Sequence, residues 1–458
     1  MLSDHDTIVA PATAPGGAIA VIRVSGAKAL TLCDRIFRGR TPLAEAAPYT
    51  VHYGTIVDAP AAEAESPRIV DGRVARDVRA PTPSAGAESG GISCAVASSI
   101  VAESLRLLAA AGGRMAGPGA FAGGAYLAGK LDLAQAEAVG DLIAASSRAA
   151  HALATNQMRG GYSSALETLR DRLLHLTALL ELELDFSEED VEFADRQALR
   201  DTMEQIDREI DRLCSSFALG NAIKEGIAVA IVGAPNVGKS TLLNRLLGEE
   251  RALVSEIAGT TRDVIEERIN IDGVLFRFLD TAGIRATDDR LEQMGIERTM
   301  ESIRRARIII RMIDAGDIAG GRIEDSMPGV RKDQTLLTVI NKLDLHPDTT
   351  LPTGAIGLSA KRGEGIDALR RALRKAVPTD ELYHGDAVVS NSRHHTALVE
   401  AHTSLAQALD ALDAGLPTDL LSEEIRDVIR HLGEITGRGS ITPDEILKNI
   451  FSNFCIGK

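Results

Sequence analysis

The chain has 458 residues, 45% hydrophobic and 25% charged, with no Trp, 3% aromatics and a formal net charge of −15. That length suggests about three domains at roughly 150 residues each, built as soluble globular units with cores of Leu, Ile, Val and Ala. The acidic total excludes a generally basic, nucleic-acid-coating surface, though a local basic patch is compatible with it.

In chain order, the opening MLSDHDTIVA carries Asp4, His5 and Asp6 and no apolar h-region, so no secretory leader is expected. No run of about 18 uncharged apolar residues follows, so no membrane span is expected. Residues 1 to 118 mix short β-like runs with Gly and Pro. GAIAVIRVSG (17–26) predicts a strand and a turn, and SSIVAESLRLLAAAG (98–112) an amphipathic helix. From about 130 the chain becomes strongly helical. In 165–186, Leu166, Leu169, Leu173, Leu176 and Leu180 recur at helical spacing, and a further helix is predicted over 194–214. Near 227, IAVAIVG reads as a buried strand, and β/α alternation runs to about 377. Helical texture then returns. Helices on both flanks of an α/β unit suggest that the unit is inserted into a helical domain. The cysteines Cys33, Cys94, Cys214 and Cys455 form no CxxC pair. They fit neither a zinc site nor a disulfide framework and point to a reduced, cytoplasmic setting.

GAPNVGKS (233–240) follows a strand and opens a helix, the setting that G-x-x-x-x-G-K-[ST] requires. Residues Asn236, Val237, Gly238, Lys239, Ser240 and Thr241 are the expected phosphate cradle. Its backbone N–H groups and helix N-terminus face the phosphates, Lys239 reaches the β- and γ-phosphates, and the Ser240 hydroxyl binds Mg²⁺. FRFLDTAG supplies Asp280, Thr281, Ala282 and Gly283, with Asp280 set to hold Mg²⁺ through water and the Gly283 N–H near the γ-phosphate. TVINKLD supplies Asn341, Lys342 and Asp344. A carboxylate at Asp344 accepts from guanine N1–H and the 2-amino group, a donor pair adenine lacks, so it selects GTP over ATP. GLSAKRGEG adds Ser359, Ala360 and Lys361 at the base edge. Four motifs in this order predict a GTP-hydrolysing enzyme of the EC 3.6 class. In the stretch SEIAGTTRD (255–263), one threonine should complete the Mg²⁺ shell, Thr261 being preferred. The position after Gly283 is Ile284, where small GTPases of the Ras type carry a water-orienting Gln. Either another polar group does that work, with Asp288, Asp289 and Glu292 as the candidates nearby, or catalysis is weak.

Read together, these motifs resemble the MnmE (TrmE) family of tRNA-modification GTPases nearly end to end. The likeness rests on DTIVAPATAPGGAIAVIRVSG, AYLAGKLDLAQAEAVGDLI, GAPNVGKSTLLNRLLG, IAGTTRDVIEE, DTAGIR and the terminal FCIGK. It implies an α/β and α architecture: an N-terminal α/β domain that binds folate and dimerises (1–118), a helical domain made from two chain segments (119–217 and 381–458), and an inserted Ras-like G domain (218–380). It implies a homodimer that works with an FAD-dependent partner protein, together a heterotetramer, on C5 of the wobble uridine of tRNA. A 5,10-methylene- or 5-formyl-tetrahydrofolate is the implied one-carbon source. It also implies K⁺-stimulated hydrolysis when two G domains meet, with Asn236, Ser255, Ile257 and Thr260 around the K⁺. Glu292 is implied as the water-orienting group, Arg23 and Lys458 as folate contacts, and Cys455 as a participant in the modification chemistry. Two stretches depart from the family pattern. Where the family resembles SFTGEDxxE followed by HGG or HGS, this chain reads TPSAGAESGGISCAVASS (82–99). Where the family resembles GPGEFTxRAF, it reads GPGAFAGGAYL (117–127). Ala and Gly thus replace charged residues in segments that the resemblance assigns to the folate pocket.

A GTPase switch in ribosome assembly or RNA chaperoning shares the P-loop and DTAG motifs. It calls for a basic RNA-binding appendage, which the charge of −15 argues against. At the tail, CIGK lacks the aliphatic pair and last residue of a prenylation signal.

Overall fold

The computed structural model describes residues 6–14, 17–47, 50–58, 68–78, 89–185, 196–249, 266–279, 292–318, 329–378, 387–438, 447, 450–452 and 454. The chain divides into two compact units. One is Met1–Ile143, Gln157–Glu204 and Glu400–Lys458; the other is Ala144–Asn156 and Gln205–Val399.

The first unit holds a seven-stranded sheet built from β1 (Ile8–Pro11), β2 (Ile19–Ser25), β3 (Phe37–Gly39), β4 (Val51–Asp58), β5 (Arg68–Val78), β6 (Ser89–Ala95) and β7 (Arg114–Met115). The spatial order is β3-β4-β5-β6-β2-β1-β7. Neighbours run antiparallel except β1 and β7, which are parallel. In β2, Ala20, Ile22 and Val24 are buried against α1 (Ala29–Ile36) and α2 (Ser98–Ala110), through Leu32, Cys33, Ile36, Leu107 and Leu108. The two-residue period of the strand sends Ile19, Val21 and Arg23 to the other face.

Past α3 (Ala120–Leu127) and α4 (Leu133–Ala144), the same unit continues through helices. The five leucines that the sequence sets at helical spacing all lie on α6 (Gly161–Asp185), reached through α5 (Arg148–Met158), and none is more than 5% exposed. Each contributes about 1.5–3 kcal/mol relative to an exposed position. They face α12 (Thr418–Thr436), whose Leu421, Ile425, Val428, Leu432 and Ile435 are buried at the same period. Polar ties close this seam. Glu183 takes Arg196 of α7 (Arg196–Glu225) and the Thr418 hydroxyl, and Arg426 Nη2 meets Glu181 Oε1 at 2.6 Å. Glu400 on α11 (Ser392–Asp413) pairs with His431 at 3.2 Å, while Arg430 bridges Glu434 at 3.1 Å and lies 3.3 Å from His431 Nε2. These groups form a polar edge on the helices.

The second unit carries a six-stranded sheet in the order β13-β12-β11-β8-β10-β9. Its strands are β8 (Ile227–Gly233), β9 (Glu267–Ile271), β10 (Val274–Phe278), β11 (Ile308–Asp314), β12 (Thr335–Asn341) and β13 (Ile356–Gly357). All pairings are parallel except β9 with β10. Buried strands such as IAVAIVG read as continuous apolar runs because helices cover both faces of such a sheet. The order reverses at β8, with β10 on one side and β11 on the other, and ligands of open α/β sheets bind at such a switch point. The helices are α8 (Lys239–Glu249), α9 (Glu292–Arg305) and α10 (Ile366–Lys375).

One element of this unit comes from far upstream. Ala149 and Leu153 of α5 share the core of Ile223, Ile271 and Val274. Ala149 N donates to Gly273 O at 2.9 Å, and Arg148 Nη2 to Asp272 O at 3.3 Å. The tight β9–β10 turn, with Asp272 at φ 49 and Gly273 at φ 83, turns its carbonyls outward to meet that helix. The 194–214 helix expected from periodicity extends to Glu225, because Leu219, Ala222 and Ile223 pack on the same core.

Candidate nucleotide site

β8 ends at Gly233, where an added Cβ would run into the Met312 carbonyl of the neighbouring strand. The chain then turns through Asn236 at φ 62 and Gly238 at φ 102 before α8 begins. A Cβ on Gly238 would collide with the Asn341 amide, so glycine is required there by both space and backbone angle. Val237, 2% exposed, plugs the loop into the core. The first turn of α8 presents backbone N–H groups without helical partners, a setting that favours phosphate. Lys239 Nζ lies across the loop, donating to Gly233 O at 2.8 Å and Ala234 O at 2.9 Å. Burial pushes its ammonium below the usual lysine value. The Ser240 side chain is half-buried and that of Thr241 exposed, both in the first turn of α8.

The base-side residues gather at the ends of β12 and β13. Asn341 is 3% exposed. Its Nδ2 donates to Val237 O at 2.7 Å, and its Oδ1 accepts from Ala360 N at 2.9 Å, so one amide ties the phosphate loop to the base loop. Lys342 takes φ 66 and places Nζ 2.6 Å from Asp314 Oδ2. Burial raises the Asp314 carboxyl, but the hydrogen bonds from Lys342 and Gly316 outweigh it and hold the group below its usual value. Asp344 Oδ1 accepts from Ser359 Oγ at 2.7 Å, and that bond, with the nearby Arg362 and Lys361 charges, holds its carboxyl below the usual value.

The structure therefore brings Asn236, Val237, Gly238, Lys239, Ser240 and Thr241 together, and it places Asn341, Lys342, Asp344, Ser359, Ala360 and Lys361 at the strand ends beside them. β10 leads toward the same end of the sheet, Leu279 N donating to Val229 O at 2.9 Å. Asp280, Thr281, Ala282 and Gly283 follow it but lie outside the described residues, as do Ser255, Ile257, Thr260 and Thr261. Glu292 is the first residue of α9, and its side chain is not described. Cys455 and Lys458 also lie outside the described residues. Sequence reasoning missed Asp314, the partner of Lys342, and Arg245, which reaches from α8 to the base loop. Neither belongs to a motif; only the register of β11 beside β12 and the helical period of α8 could have pointed to them.

Arg23 belongs to the first unit, on β2. Its neighbours in register are Ala10 and Gly91, and its guanidinium lies 4.5 Å from the centroid of the Phe121 ring of α3. Burial pushes its pKa below the usual arginine value.

A mostly parallel sheet with a phosphate loop at its switch point and an Asn-Lys-x-Asp base reader defines the class of P-loop GTP-binding proteins. Profiles of known families extend the likeness beyond that unit: the MnmE helical domain matches residues 133–455, and the GTP-binding protein TrmE N-terminus matches residues 7–130. The tRNA modification GTPase MnmE of Bacteroides fragilis is 44% identical over 473 aligned residues, covering 99% of this chain and 100% of that protein. Its counterpart in Porphyromonas gingivalis is 45% identical over 475, covering 99% and 98%. A solved structure of Aquifex aeolicus Era bound to GDP.AlF4− shares 32% identity over 38% of this chain and 65% of its own, at a TM-score of 0.25. This chain belongs to the MnmE family.

Proposed function

We propose that this protein hydrolyses GTP as one component of a complex that modifies C5 of the wobble uridine in tRNA. The observation that carries the nucleotide half is the pairing of Asn341 with both Val237 and Ala360, which locks a phosphate loop and a guanine reader into one rigid site. The tRNA half rests on kinship with proteins named for that activity, aligned over 99% of this chain.

In this reading Lys239 and the first turn of α8 neutralise the phosphates, while Asp344 accepts from the guanine N1–H and 2-amino group. Ser240 supplies the hydroxyl for Mg²⁺, with Asp280 and Thr261 completing the set; that donor chemistry of hydroxyls and a carboxylate suits a hard cation. Bound Mg²⁺ offsets charge on the phosphate oxygens. Asn236, with Ser255, Ile257 and Thr260, is the proposed K⁺ environment, and Glu292 the group that orients water. The bounds 218–380 for the nucleotide domain and 119–217 with 381–458 for the helical domain belong to the same proposal. So do the homodimer and the FAD-dependent partner. Among the described residues no helix is long and apolar enough to cross a membrane.

The folate expectation fits less well. Residues 89–99 and 117–127, all described, contain no charged side chain. Within them Arg23 has Phe121 and Gly91 as neighbours, so these described residues add no charged group to the folate pocket that the resemblance implies.

The test is complementation. In cells lacking their own family member, expression of this chain should restore the wobble-uridine modification, read by nucleoside analysis of bulk tRNA. Restored GTP hydrolysis without restored modification would overturn the tRNA half. In vitro, GTP turnover should rise in KCl over NaCl; equal rates would remove the K⁺ assignment.

A further inference from the structure

We propose that Arg245 is a positioning residue for guanine selection, acting on Asp344 through one peptide group and one hydroxyl. Arg245 lies on α8, the phosphate-loop helix, and its guanidinium reaches the base loop. Nη2 donates to Lys361 O at 2.7 Å and Nε to Ala360 O at 3.4 Å. In a planar trans peptide the carbonyl and the N–H point in opposite directions. Drawing the Lys361 carbonyl to Arg245 therefore turns the N–H of the same peptide, that of Arg362, to the other side. That N–H donates to Ser359 Oγ at 3.2 Å, and Ser359 Oγ donates to Asp344 Oδ1 at 2.7 Å. The four groups form one directed chain: guanidinium, peptide, hydroxyl, carboxylate. A charged donor at its head strengthens the bonds that follow.

The loop packs against this side chain. Gly363 lies at φ 83, and a Cβ there would be in ordinary contact with Arg245 Cζ at 3.5 Å and Nε at 3.6 Å, so the guanidinium lies against the loop backbone at that residue. Gly363 N in turn donates to Ser359 O at 2.8 Å, closing the loop around the relay. Asn341 already fixes the Ala360 N–H from the strand side. Arg245 fixes the two following carbonyls from the helix side, and Asp344 is held as the downstream end of that second tie.

The proposal rests on the guanine reading of Asp344 given above, and the experiment separates the two. Full-length protein and the Arg245→Met, Arg245→Lys, Ser359→Ala and Arg245→Met/Ser359→Ala variants are titrated with GDP, IDP and ADP by displacement of a fluorescent GDP analogue. Inosine lacks the 2-amino donor that a well-held Asp344 reads. Arg245→Met should weaken GDP about tenfold and IDP less, so the GDP-to-IDP preference narrows. The loss should fall on KM for GTP rather than on kcat. Arg245→Lys, with one donor in place of a fork, should recover part of the preference, and it decides the matter if Arg245→Met fails to fold. Ser359→Ala should narrow the preference in the same way, with the double variant less than additive because both break one chain. Equal losses for GDP and IDP, or full additivity, would overturn the role of Arg245. Failure of the unaltered protein to prefer GDP over ADP would overturn the guanine reading itself.

Discussion

Gly140 of α4 and the ring of Phe454 are in direct apposition: a Cβ on Gly140 would stand 3.0 Å from Phe454 Cζ. Gly119, at φ 62, makes a matching seat for Phe451, with an added Cβ only 2.8 Å from Phe451 Cβ. The two rings lie 5.5 Å apart, and Phe451 packs with Ala122, Leu133 and Ala136. Two glycine seats thus hold the segment that ends one residue before Cys455. Gly140→Leu should displace Phe454. Better helix propensity, worth about 1 kcal/mol, partly offsets an overpacking cost of about 1–3 kcal/mol. The fold should survive, with a small change in Tm. On the reading that makes Cys455 a participant in the modification, wobble-uridine modification should fall by between about tenfold and a hundredfold, the cost of misplacing a reacting group. GTP turnover should persist. Unchanged modification in cells carrying Gly140→Leu would show that the seat does not matter to the tail.

The cysteines allow a separate check on the tail. Cys33 and Cys94 are at most 1% exposed. Burial, aided by the Asp211 and Asp207 charges, pushes the Cys214 thiol up to about 11. At pH 8 only about one in a thousand Cys214 side chains is thiolate, the reactive form. Those three should therefore react slowly with a disulfide reagent in native protein, and any fast phase is assigned to Cys455, the fourth cysteine of the chain. Cys455→Ser should abolish the fast phase and leave the slow one. A fast phase that survives the substitution would mean that one of the other three is accessible.

What the sequence made legible follows the physics of each signal. The leucine period of α6 forecast its buried face, because a helix repeats often enough to average out exceptions. The phosphate loop was legible because Gly233 and Gly238 answer to backbone demands that few other residues meet. The packing of α5 on the β9–β10 turn was not legible. It depends on Ala149 and Arg148 meeting Gly273 and Asp272 across more than a hundred intervening residues, and two small residues leave no periodic trace. Arg245 was hidden for a similar reason. Its role lies in which carbonyl it reaches, and an arginine on a helix face otherwise reads as solvated surface.

Asn341 joins two loops through buried groups, so its loss should be costly. Asn341→Ala leaves the Val237 carbonyl and the Ala360 N–H without that partner. Each unpaired buried group costs about 1–3 kcal/mol. Thermal unfolding should shift down by several degrees, and GDP binding should weaken at least as much as in Lys239→Ala, because both loops loosen together. Calorimetric titration with GDP and a thermal melt measure the two effects. A variant with the original Tm and GDP affinity would mean that the loops hold their places without the amide.

Asp314 gives a pH signature with a definite sign. Its carboxyl is held below the usual value in the folded protein through Lys342 and Gly316, against the opposing effect of burial. The stabilisation it contributes is therefore fully present above the unfolded value, about 3.9, and is lost as pH falls through the lower folded value. Asp314→Asn removes the ion pair with Lys342, whose side chains are 22% and 32% exposed. The expected cost at pH 7 is about 1 kcal/mol, as solvent screens a pair of that exposure. Urea midpoints of the two proteins should differ by the same amount at pH 7 and pH 5, then converge as the solution is acidified below about pH 4. A gap that closes between pH 7 and pH 5 would overturn the assignment to Asp314.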